Sequence, residues 1–249
     1  MTKRSILAGK NQTVIIKVGG SVTVRGHDSD QVIAESKVGS VTLEQRSKSQ
    51  IGRARVAIGE HVLFDVRLKL PSPLRPSPTR AEPDGEARRG DRDEGKNTLD
   101  KVIEIQMSAS GKVHVPFESN LKVYAGKDID VQDVQGQVDA YSSLNLSMQN
   151  IYRLGNASAG GAMNLDCRTM IGKDVTVSAG SDLRFHVADL TSARLRVKDI
   201  GGYWEARIGN GERSVYLKSG GDVTFVTDQK VEPLPPNYIL GKIEKPTRA

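Results

Sequence analysis

The sequence predicts an all-β protein, a right-handed β-helix or β-solenoid with coils of about 17 to 22 residues. Short apolar/polar alternations return between Gly, Ser, Asn and Asp over positions 121 to 228. Pairs of small residues punctuate this stretch at steps of seventeen, seventeen and twenty positions, namely Ala125-Gly126, Ser142-Ser143, Ala159-Gly160 and Ala179-Gly180. No segment shows helical spacing, so we predict strands and turns that stack around one continuous core.

Apolar residues occupy every second position within each predicted coil, as expected for strands with one buried face. The predicted inward residues are Ile129, Val131, Leu144, Leu146, Met148, Leu165, Cys167, Val175, Val177, Leu183, Phe185, Val187, Leu195, Val197, Val223 and Phe225. Their polar neighbours, such as Asp130, Asp166 and His186, are expected to face water. The Gly and Ser pairs lie where a coil must turn, because glycine reaches positive φ without a steric penalty.

A basic N-terminal region precedes these coils. We predict a flexible N-terminus over residues 1–13 and β coils over residues 14–70, and residues 1–70 hold 12 Lys and Arg against 6 Asp and Glu. The basic residues on the outward phase of the strands or in their turns are Lys17, Arg25, Lys37, Arg46, Lys48, Arg53, Arg55, Arg67 and Lys69. Clustered Lys and Arg predict weak contact with a polyanion. The lack of interleaved aromatic residues favours an ordinary solvated face instead.

Residues 71–98 interrupt the predicted solenoid. They hold five of the ten prolines, one leucine, no aromatic residue and dense charge of both signs. Such a segment cannot bury enough apolar surface to offset the entropy lost on ordering, so we predict a disordered loop within one domain. Pro73 to Pro76 also fits a PxxP docking motif, a short pattern that is common by chance.

Solenoid repeats are predicted over residues 99–232. The repeated unit is a strand, then Gly-Asp or Ala-Gly-Lys-Asp, then a second strand, and the N-terminal segment VGGSVTVRGHDSDQVIAES looks like an opening coil. Over about residues 14–70 and 99–228 the chain resembles the bacterial putative-adhesin family of β-solenoid repeat proteins, with bactofilin-like solenoids as a more distant analogy. The resemblance implies a solenoid fold and a surface role, and it brings no catalytic residues with it.

The sequence predicts no catalytic, cofactor or metal site. The single cysteine, Cys167, excludes an internal disulfide and a cysteine metal cage, and its inward phase predicts a buried side chain. His186 has Asp189, Ser178 and Ser181 nearby in sequence, which suggests a Ser/His/Asp triad. No nucleophile elbow accompanies them, so we interpret His186 as an outward-facing, solvated histidine.

Acidic residues raise the alternative of a carbohydrate-active enzyme, which needs two carboxyl groups about 5 to 9.5 Å apart across a bound sugar. The candidates are Asp128, Asp130, Asp133, Asp166, Asp174 and Asp182. We interpret them as solvated turn residues, because the predicted coils are too short to carry the long loops that wall such a groove. Two glycine motifs do not indicate ligand sites. Gly220-Gly221-Asp222 lacks the spacing of calcium-binding solenoid repeats, and Gly209-Asn210-Gly211 differs from a dinucleotide-binding fingerprint because a strand pattern, not a helix, follows it.

Residues 233–249 form a predicted Pro-rich tail or cap. Three prolines break the repeat, yet the apolar residues Tyr238, Ile239, Leu240 and Ile243 remain. A solenoid must cover the edge of its last coil, so this tail either folds over that coil or reaches a neighbouring chain. The single tryptophan, Trp204, either marks a binding surface or packs at the end of the stack.

These features predict a non-enzymatic structural scaffold that presents repeated faces and assembles end to end, as a homo-oligomer or with a protein partner. The alternatives are an exported adhesin-like or glycan-binding module and a carbohydrate-active β-helix enzyme. The first residues lack the apolar run of a secretory signal and no stretch is long enough to span a membrane. We therefore expect a cytoplasmic protein, and a cell-surface location would require an upstream leader.

Overall fold

The computed structural model describes residues 1–9, 11–47, 55–58, 61–65, 101–190 and 192–234. Within these ranges the chain forms strands and turns without a helix, which confirms the predicted all-β class. The predicted loop over residues 71–98 and the tail from residue 235 onward lie outside the described residues.

Twenty strands follow one another along the described chain. They are β1 (Thr2–Leu7), β2 (Thr13–Val18), β3 (Val22–His27), β4 (Gln31–Ser36), β5 (Val41–Ser47), β6 (Arg55–Ile58), β7 (His61–Asp65), β8 (Lys101–Met107), β9 (Gly111–Pro116), β10 (Asn120–Ala125), β11 (Ile129–Ser142), β12 (Leu146–Ala159), β13 (Met163–Met170), β14 (Asp174–Ala179), β15 (Leu183–Asp189), β16 (Ala193–Asp199), β17 (Gly202–Ile208), β18 (Arg213–Ser219), β19 (Val223–Thr227) and β20 (Glu232–Pro233).

Eighteen of these strands belong to one hydrogen-bonded sheet, in which we distinguish two ladders. Ladder A contains, in spatial order, β5, β8, β2, β10, the second half of β11, the second half of β12, β14, β18, β16, β17 and β20. Ladder B contains β1, β4, β9, β3, the first half of β11, the first half of β12, β13, β15 and β19. Strands β11 and β12, of 14 residues each, run through both ladders and join them.

The register of ladder A reproduces the spacing of the small-residue pairs. Ala125 pairs with Ser142, Ser142 with Ala159, and Ala159 with Ala179, so each small residue faces the equivalent one on the next strand. Ala179 then pairs with Ser219, forty positions later, because the β16–β17 hairpin intervenes in the chain. The repeat in the sequence is therefore the strand-to-strand register of a parallel ladder.

Inward side chains of both ladders form one continuous hydrophobic core. The predicted inward set is buried with three exceptions. Leu144 is 47% exposed, so that prediction was wrong: the residue lies in the bend between β11 and β12, outside the strand alternation. Val223 and Phe225 are half-buried because β19 is the last strand of ladder B. Cys167 is buried as predicted, and burial raises the pKa of its thiol to about 12, which leaves little reactive thiolate near neutral pH.

The N-terminus differs from the flexible segment predicted for residues 1–13. Strand β1 pairs antiparallel with β4 along its whole length, and Ile6 packs against the core. Lys3 also binds Glu35 at 2.6 Å. The physical reason is that β4 would otherwise expose a row of unpaired backbone groups, which β1 satisfies.

Antiparallel strands lie at both ends of the parallel ladders. Strands β1, β4 and β5 flank β8 and β9 at one end. The β16–β17 hairpin and β20 follow β18 at the other end of ladder A, and Trp204 on β17 packs partly buried against the core. This contact agrees with the interpretation of Trp204 as an end-of-stack residue. In the part of the chain that the structure describes, no strand pairs with the outer edge of β19.

The buried carboxylate of Glu104 ties the N-terminal end to the stack. Lys17 Nζ donates to it at 2.6 Å, Gln106 Nε2 donates at 3.0 Å, and Arg46 Nη1 lies 3.1 Å away. Burial raises the pKa of Glu104, but the hydrogen bonds from Lys17 and Gln106 and the charges of Lys17 and Arg46 outweigh burial, so the net pKa is lowered from 4.5. Two residues of the predicted basic face are thus neutralised within the fold.

We expect Glu104→Gln to reduce the free energy of unfolding at pH 7 by about 1 kcal/mol, because Lys17 and Arg46 lose their charged partner. The lowered pKa of Glu104 means that its ionised form stabilises the fold above about pH 4.5, and that this contribution disappears as the pH falls through the folded-state pKa. The variant should therefore lose less stability than the wild type on acidification. Urea unfolding followed by circular dichroism at several pH values measures both effects. Glu44→Gln, which removes an exposed partner of Arg46, is the control, and identical acid dependence in Glu104→Gln and the wild type would contradict the assignment.

Candidate functional site

An open groove of about 1150 Å³ runs across the side of the molecule between the two ladders. Strands β11, β12, β13 and β15 contribute most of its lining, and the rest comes from Asn11, Gly26 on β3, and Phe117 and Glu118 after β9. The lining combines carboxylates, two arginines, amides and one tyrosine. Such a mixture can form directed hydrogen bonds to a polar ligand.

The groove forms where β11 and β12 bend from ladder B into ladder A. Strand β11 has a register shift between Val134 and Gln137, and β12 has one between Met148 and Ile151, which is the sign of a β-bulge. Asp133 immediately precedes the first shift and Asn150 lies within the second, with φ values of 60° and 54°. Asp and Asn tolerate this left-handed conformation better than most residues, so their identity fits the bend.

A column of buried residues forms the inner wall of the bend. Val134 pairs in register with Ile151, Ile151 with Cys167, and Cys167 with Val187. All four side chains are buried. Their sequence neighbours on either side therefore face outward and form two rows. Each row crosses four strands about 4.8 Å apart and is roughly 14 Å long.

Row 1 contains Asp133, Asn150, Asp166 and His186. Asn150 Nδ2 donates to Asp133 Oδ1 at 2.7 Å, and His186 Nδ1 donates to Asp166 Oδ1 at 2.8 Å. Asp166 and His186 are register partners on β13 and β15. Both carboxylates of the row are thus engaged by a neighbour within the row, and they still have lone pairs for a ligand hydroxyl.

Row 2 contains Gln135, Tyr152, Arg168 and Ala188. Tyr152 is 43% exposed. The guanidinium carbon of Arg168 lies 5.2 Å from the Tyr152 ring centroid, and that of Arg153 lies 5.9 Å from the same centroid. Both distances are within the range of cation–π attraction, so the two arginines hold the ring in place. The row presents a flat aromatic surface beside two hydrogen-bond donors.

The Ser/His/Asp arrangement considered from the sequence is not assembled. His186 contacts Asp166 rather than Asp189, whose carboxylate accepts from Gln229 Nε2 at 3.0 Å. Ser178 lies on β14 in ladder A and pairs with Ser158 and Lys218, away from the strand of His186. Asp189 does line the groove, but as a separate carboxylate.

The six acidic residues singled out from the sequence divide into three groups. Asp130 on β11 and Asp174 on β14 are strand residues outside the groove lining. Asp133 and Asp166 line the groove. Asp128 and Asp182 instead lie at turns, where their carboxylates accept from the backbone N–H of Asn145 at 3.2 Å and of Asp222 at 3.1 Å. The hydrogen bond from the Asn145 backbone lowers the pKa of Asp128. The turn carboxylates therefore accept hydrogen bonds from backbone N–H groups in the equivalent turn of a neighbouring repeat.

Tyr152, Arg153 and Arg168 were missed as site residues, although the sequence carries a signal for them. The apolar spacing in β11 changes from two to three between Val131 and Val134, and in β12 it does the same between Met148 and Ile151. A step of three within an alternating strand indicates a bulge, and its recurrence at the equivalent place in the next repeat indicates stacked bends.

The predicted basic face is only partly present. Arg25 and Lys37 are exposed, whereas Lys17 and Arg46 bind Glu104. Among the remaining predicted basic residues, Lys48, Arg53, Arg67 and Lys69 lie outside the described residues, and so does the side chain of Arg55. Contact with a polyanion therefore stays a prediction.

Two histidines that are distant in sequence come together beside Arg25. The rings of His27 and His114 meet edge to face with centroids 6.0 Å apart, because β3 and β9 pair in parallel. Burial lowers the pKa of His114, and the nearby charges of His27 and Arg25 lower it further. No sequence spacing predicts this pair, since it depends on a long-range strand pairing.

The described residues contain no group of three or more His, Cys, Asp or Glu side chains that could hold a metal ion. Over the same ranges there is no helix of the length and apolarity needed to cross a bilayer.

Comparison with known proteins gives little further information. No family model and no curated protein matches the sequence. A crystal structure described as a putative cell adhesion protein from Clostridium sporogenes ATCC 15579 has a TM-score of 0.38 and 7% identity, covering 91% of this chain and 98% of that chain. A similarity at this level supports no conclusion about fold or function, so the proposals below depend on geometry.

Proposed function

We propose that the protein is a non-enzymatic β-solenoid module that binds an extended oligosaccharide in the groove. The observation that carries this proposal is the half-exposed Tyr152 ring of row 2, which Arg153 and Arg168 hold beside the polar side chains of row 1. A tyrosine supplies a rigid, amphipathic contact surface at a low cost in conformational entropy.

The solenoid part of the proposal follows from strand pairing. Parallel neighbours separated by seventeen to twenty positions in both ladders support coils that wind in one direction around the shared core. A connection between parallel strands of one sheet is right-handed in nearly all proteins, so the proposed coils are right-handed.

The ligand class follows from the chemistry of the rows. Sugar hydroxyls both donate and accept hydrogen bonds, and the rows offer carboxylate acceptors, amides that do both, and guanidinium donors. A sugar ring also has an apolar face that can lie against Tyr152. Because the rows are roughly 14 Å long, they suit a linear ligand that crosses several strands rather than a compact one.

Binding without hydrolysis is proposed because of where the carboxylates lie. Glycoside hydrolysis requires two carboxyl groups on opposite sides of the scissile bond. Of the four carboxylates that line the groove, Glu118 lies in the turn after β9 and Asp189 accepts a hydrogen bond from Gln229, whereas Asp133 and Asp166 are in the same row, on one side of the buried column. We therefore assign them to hydrogen bonding with hydroxyl groups and assign no catalytic residue.

A glycan array probed with the wild type and Tyr152→Ala tests this proposal. We expect the wild type to retain linear oligosaccharides and the variant to bind them at least about tenfold more weakly, because a central aromatic contact is removed. Tyr216→Ala on β18, in ladder A and outside the groove lining, is the matched control and should bind normally. Thermal unfolding confirms that the variants fold. The proposal fails when no glycan binds, or when Tyr152→Ala binds like the wild type.

Self-association is a second candidate function, favoured by one specific observation. Among the described residues, the outer edge of β19 has no strand partner, and Val223 and Phe225 on it are half-buried. An open edge of this kind can pair with another chain. Strands β1 and β5 at the opposite end also lack an outer partner among the described residues, but they carry charged side chains such as Lys3, Arg4 and Glu44, which disfavour pairing at an edge. We therefore expect a closed dimer through β19 rather than an end-to-end filament.

Light scattering during size-exclusion chromatography distinguishes these assemblies. A dimer that forms with increasing concentration and grows no further supports pairing through β19. Filaments would contradict the closed arrangement, and a monomer at every concentration would remove self-association as a function. Val226→Lys, which places a charge on the exposed face of β19, should weaken the dimer, because a lysine on an edge strand opposes pairing with another chain.

A further inference from the structure

We propose that the oligosaccharide is acidic, and that Arg153 and Arg168 hold a sugar carboxylate in the groove. This inference depends on the proposed function and names the ligand class for the same site. It is carried by two cations that converge on one ring and have no anionic partner in the described structure.

The two arginines are close neighbours through Tyr152. Arg168 and Arg153 lie 5.2 Å and 5.9 Å from the centroid of the same ring. Contact with one ring restricts both side chains, so part of their conformational entropy is lost before a ligand arrives. A guanidinium group has a planar fork of donors that matches a carboxylate, and less entropy is then lost on binding.

The remaining contacts of the two arginines leave donors available. Arg153 Nε makes a long hydrogen bond of 3.4 Å to the Gln135 carbonyl oxygen. Over the described ranges, the ion pairs of arginine side chains involve Arg46, Arg194, Arg196 and Arg207, and neither groove arginine is among them. The groove therefore holds two unneutralised positive charges beside one another.

The carboxylates of the groove are arranged differently. Asp133 accepts from Asn150, and Asp166 accepts from His186. Asp189 accepts from Gln229 on the chain after β19. These three acids are engaged by neutral amides or a histidine, and the fourth groove carboxylate, Glu118, lies in the turn after β9. None of the four forms an ion pair with the groove arginines in the described part of the chain. The negative charge of row 1 also repels an anion, so an acidic sugar should turn its carboxylate toward row 2 and its hydroxyls toward row 1.

Calorimetric titration with matched pairs of oligosaccharides tests the inference. The probes are linear oligomers of galacturonate, glucuronate and mannuronate, each compared with the same oligomer after reduction of its carboxyl groups to alcohols. We expect at least one acid form to bind the wild type about tenfold or more tightly than its reduced form, and this preference to weaken as salt concentration rises.

Variants of the two groove arginines test whether the preference for the acid form arises in the groove. Arg168→Gln and Arg153→Gln should each bring the affinity for the acid form toward that for the reduced form, while leaving affinity for the reduced form nearly unchanged. Arg184→Gln on β15 is the matched control, because Arg184 is exposed and lies outside the groove lining. Thermal unfolding of each variant checks that the fold is retained.

The outcomes separate this inference from the proposed function. Equal binding of acid and reduced forms, or binding of neutral array glycans without any uronate, would overturn the acidic ligand and keep the glycan-binding groove. A preference for acid that survives both arginine changes would also overturn it. Failure of every glycan to bind would remove both proposals.

Discussion

Replacement of Phe185 by alanine is expected to lower the free energy of unfolding by about 3–5 kcal/mol, the largest effect among the substitutions considered. Phe185 is fully buried on β15 and is among the largest buried side chains. It pairs in register with Leu165 and Phe225, and its ring meets the Phe225 ring edge to face at 5.7 Å. Its removal would leave a cavity between three levels of ladder B.

Chemical unfolding followed by circular dichroism measures this loss. Arg184→Ala, at the neighbouring exposed position on the same strand, is the control and should change stability by less than about 0.5 kcal/mol. Phe225→Ala should cost less than Phe185→Ala because Phe225 is only half-buried. A loss of under about 1 kcal/mol for Phe185→Ala would contradict a tightly packed core in ladder B.

Replacement of Gly26 by valine is expected to destabilise the protein by about 1–3 kcal/mol and to weaken ligand binding in the groove. A Cβ atom at Gly26 would overlap the carbonyl oxygen of Asp133 and lie 2.8 Å from Phe117 Cδ1. The backbone at Asp133 would have to move, and Asp133 forms the bend that begins row 1. The substitution should therefore affect stability and binding together.

Unfolding and glycan titration of the same preparation measure the two effects. Thr23→Val on β3 is the matched control, since its partly exposed side chain adds no atoms near Asp133. If Gly26→Val retained normal stability and normal affinity, Gly26 would not be the spacer that fixes the Asp133 bend. Normal affinity with reduced stability would separate the bend from the binding site.

The local features of the fold were predictable from the sequence because burial follows the period of a strand. Leu165, Phe185 and Val187 are buried where the alternation places them. The prediction that Leu144 is buried was wrong because this residue belongs to a turn, where the alternation no longer applies. The strand register was predictable from the small residues, such as Ala125 and Ser142, because each one marks the same turn in successive repeats.

The order of strands in space was not predictable in the same way. Strand β18 lies between β14 and β16, although β16 precedes it in the chain. Strands β8 and β9 pair beside β2 and β3 across the long segment between them. Many strands of this protein share one apolar pattern, so their patterns fit several neighbours equally well, and long-range packing decides which pair forms.

The groove was predictable only in part. Asp133 and Asp166 were candidates as acidic residues of the coils, and both line it. Tyr152 and Arg168 could be recognised as site residues only once the bend was known, because two bulges bring outward residues of separate strands into adjacent rows. A contact such as that between Arg168 and Tyr152 depends on this three-dimensional stacking rather than on sequence spacing.

Mapping of backbone amide shifts by NMR, with and without the tightest-binding array oligosaccharide, tests the groove most directly. We predict that the largest shifts fall on residues 133–135, 150–153 and 166–168, which form the two rows and their bend. Residues 214–218 on ladder A should change little. Largest shifts on ladder A, or along the edge of β19, would contradict the assignment of ligand binding to the groove.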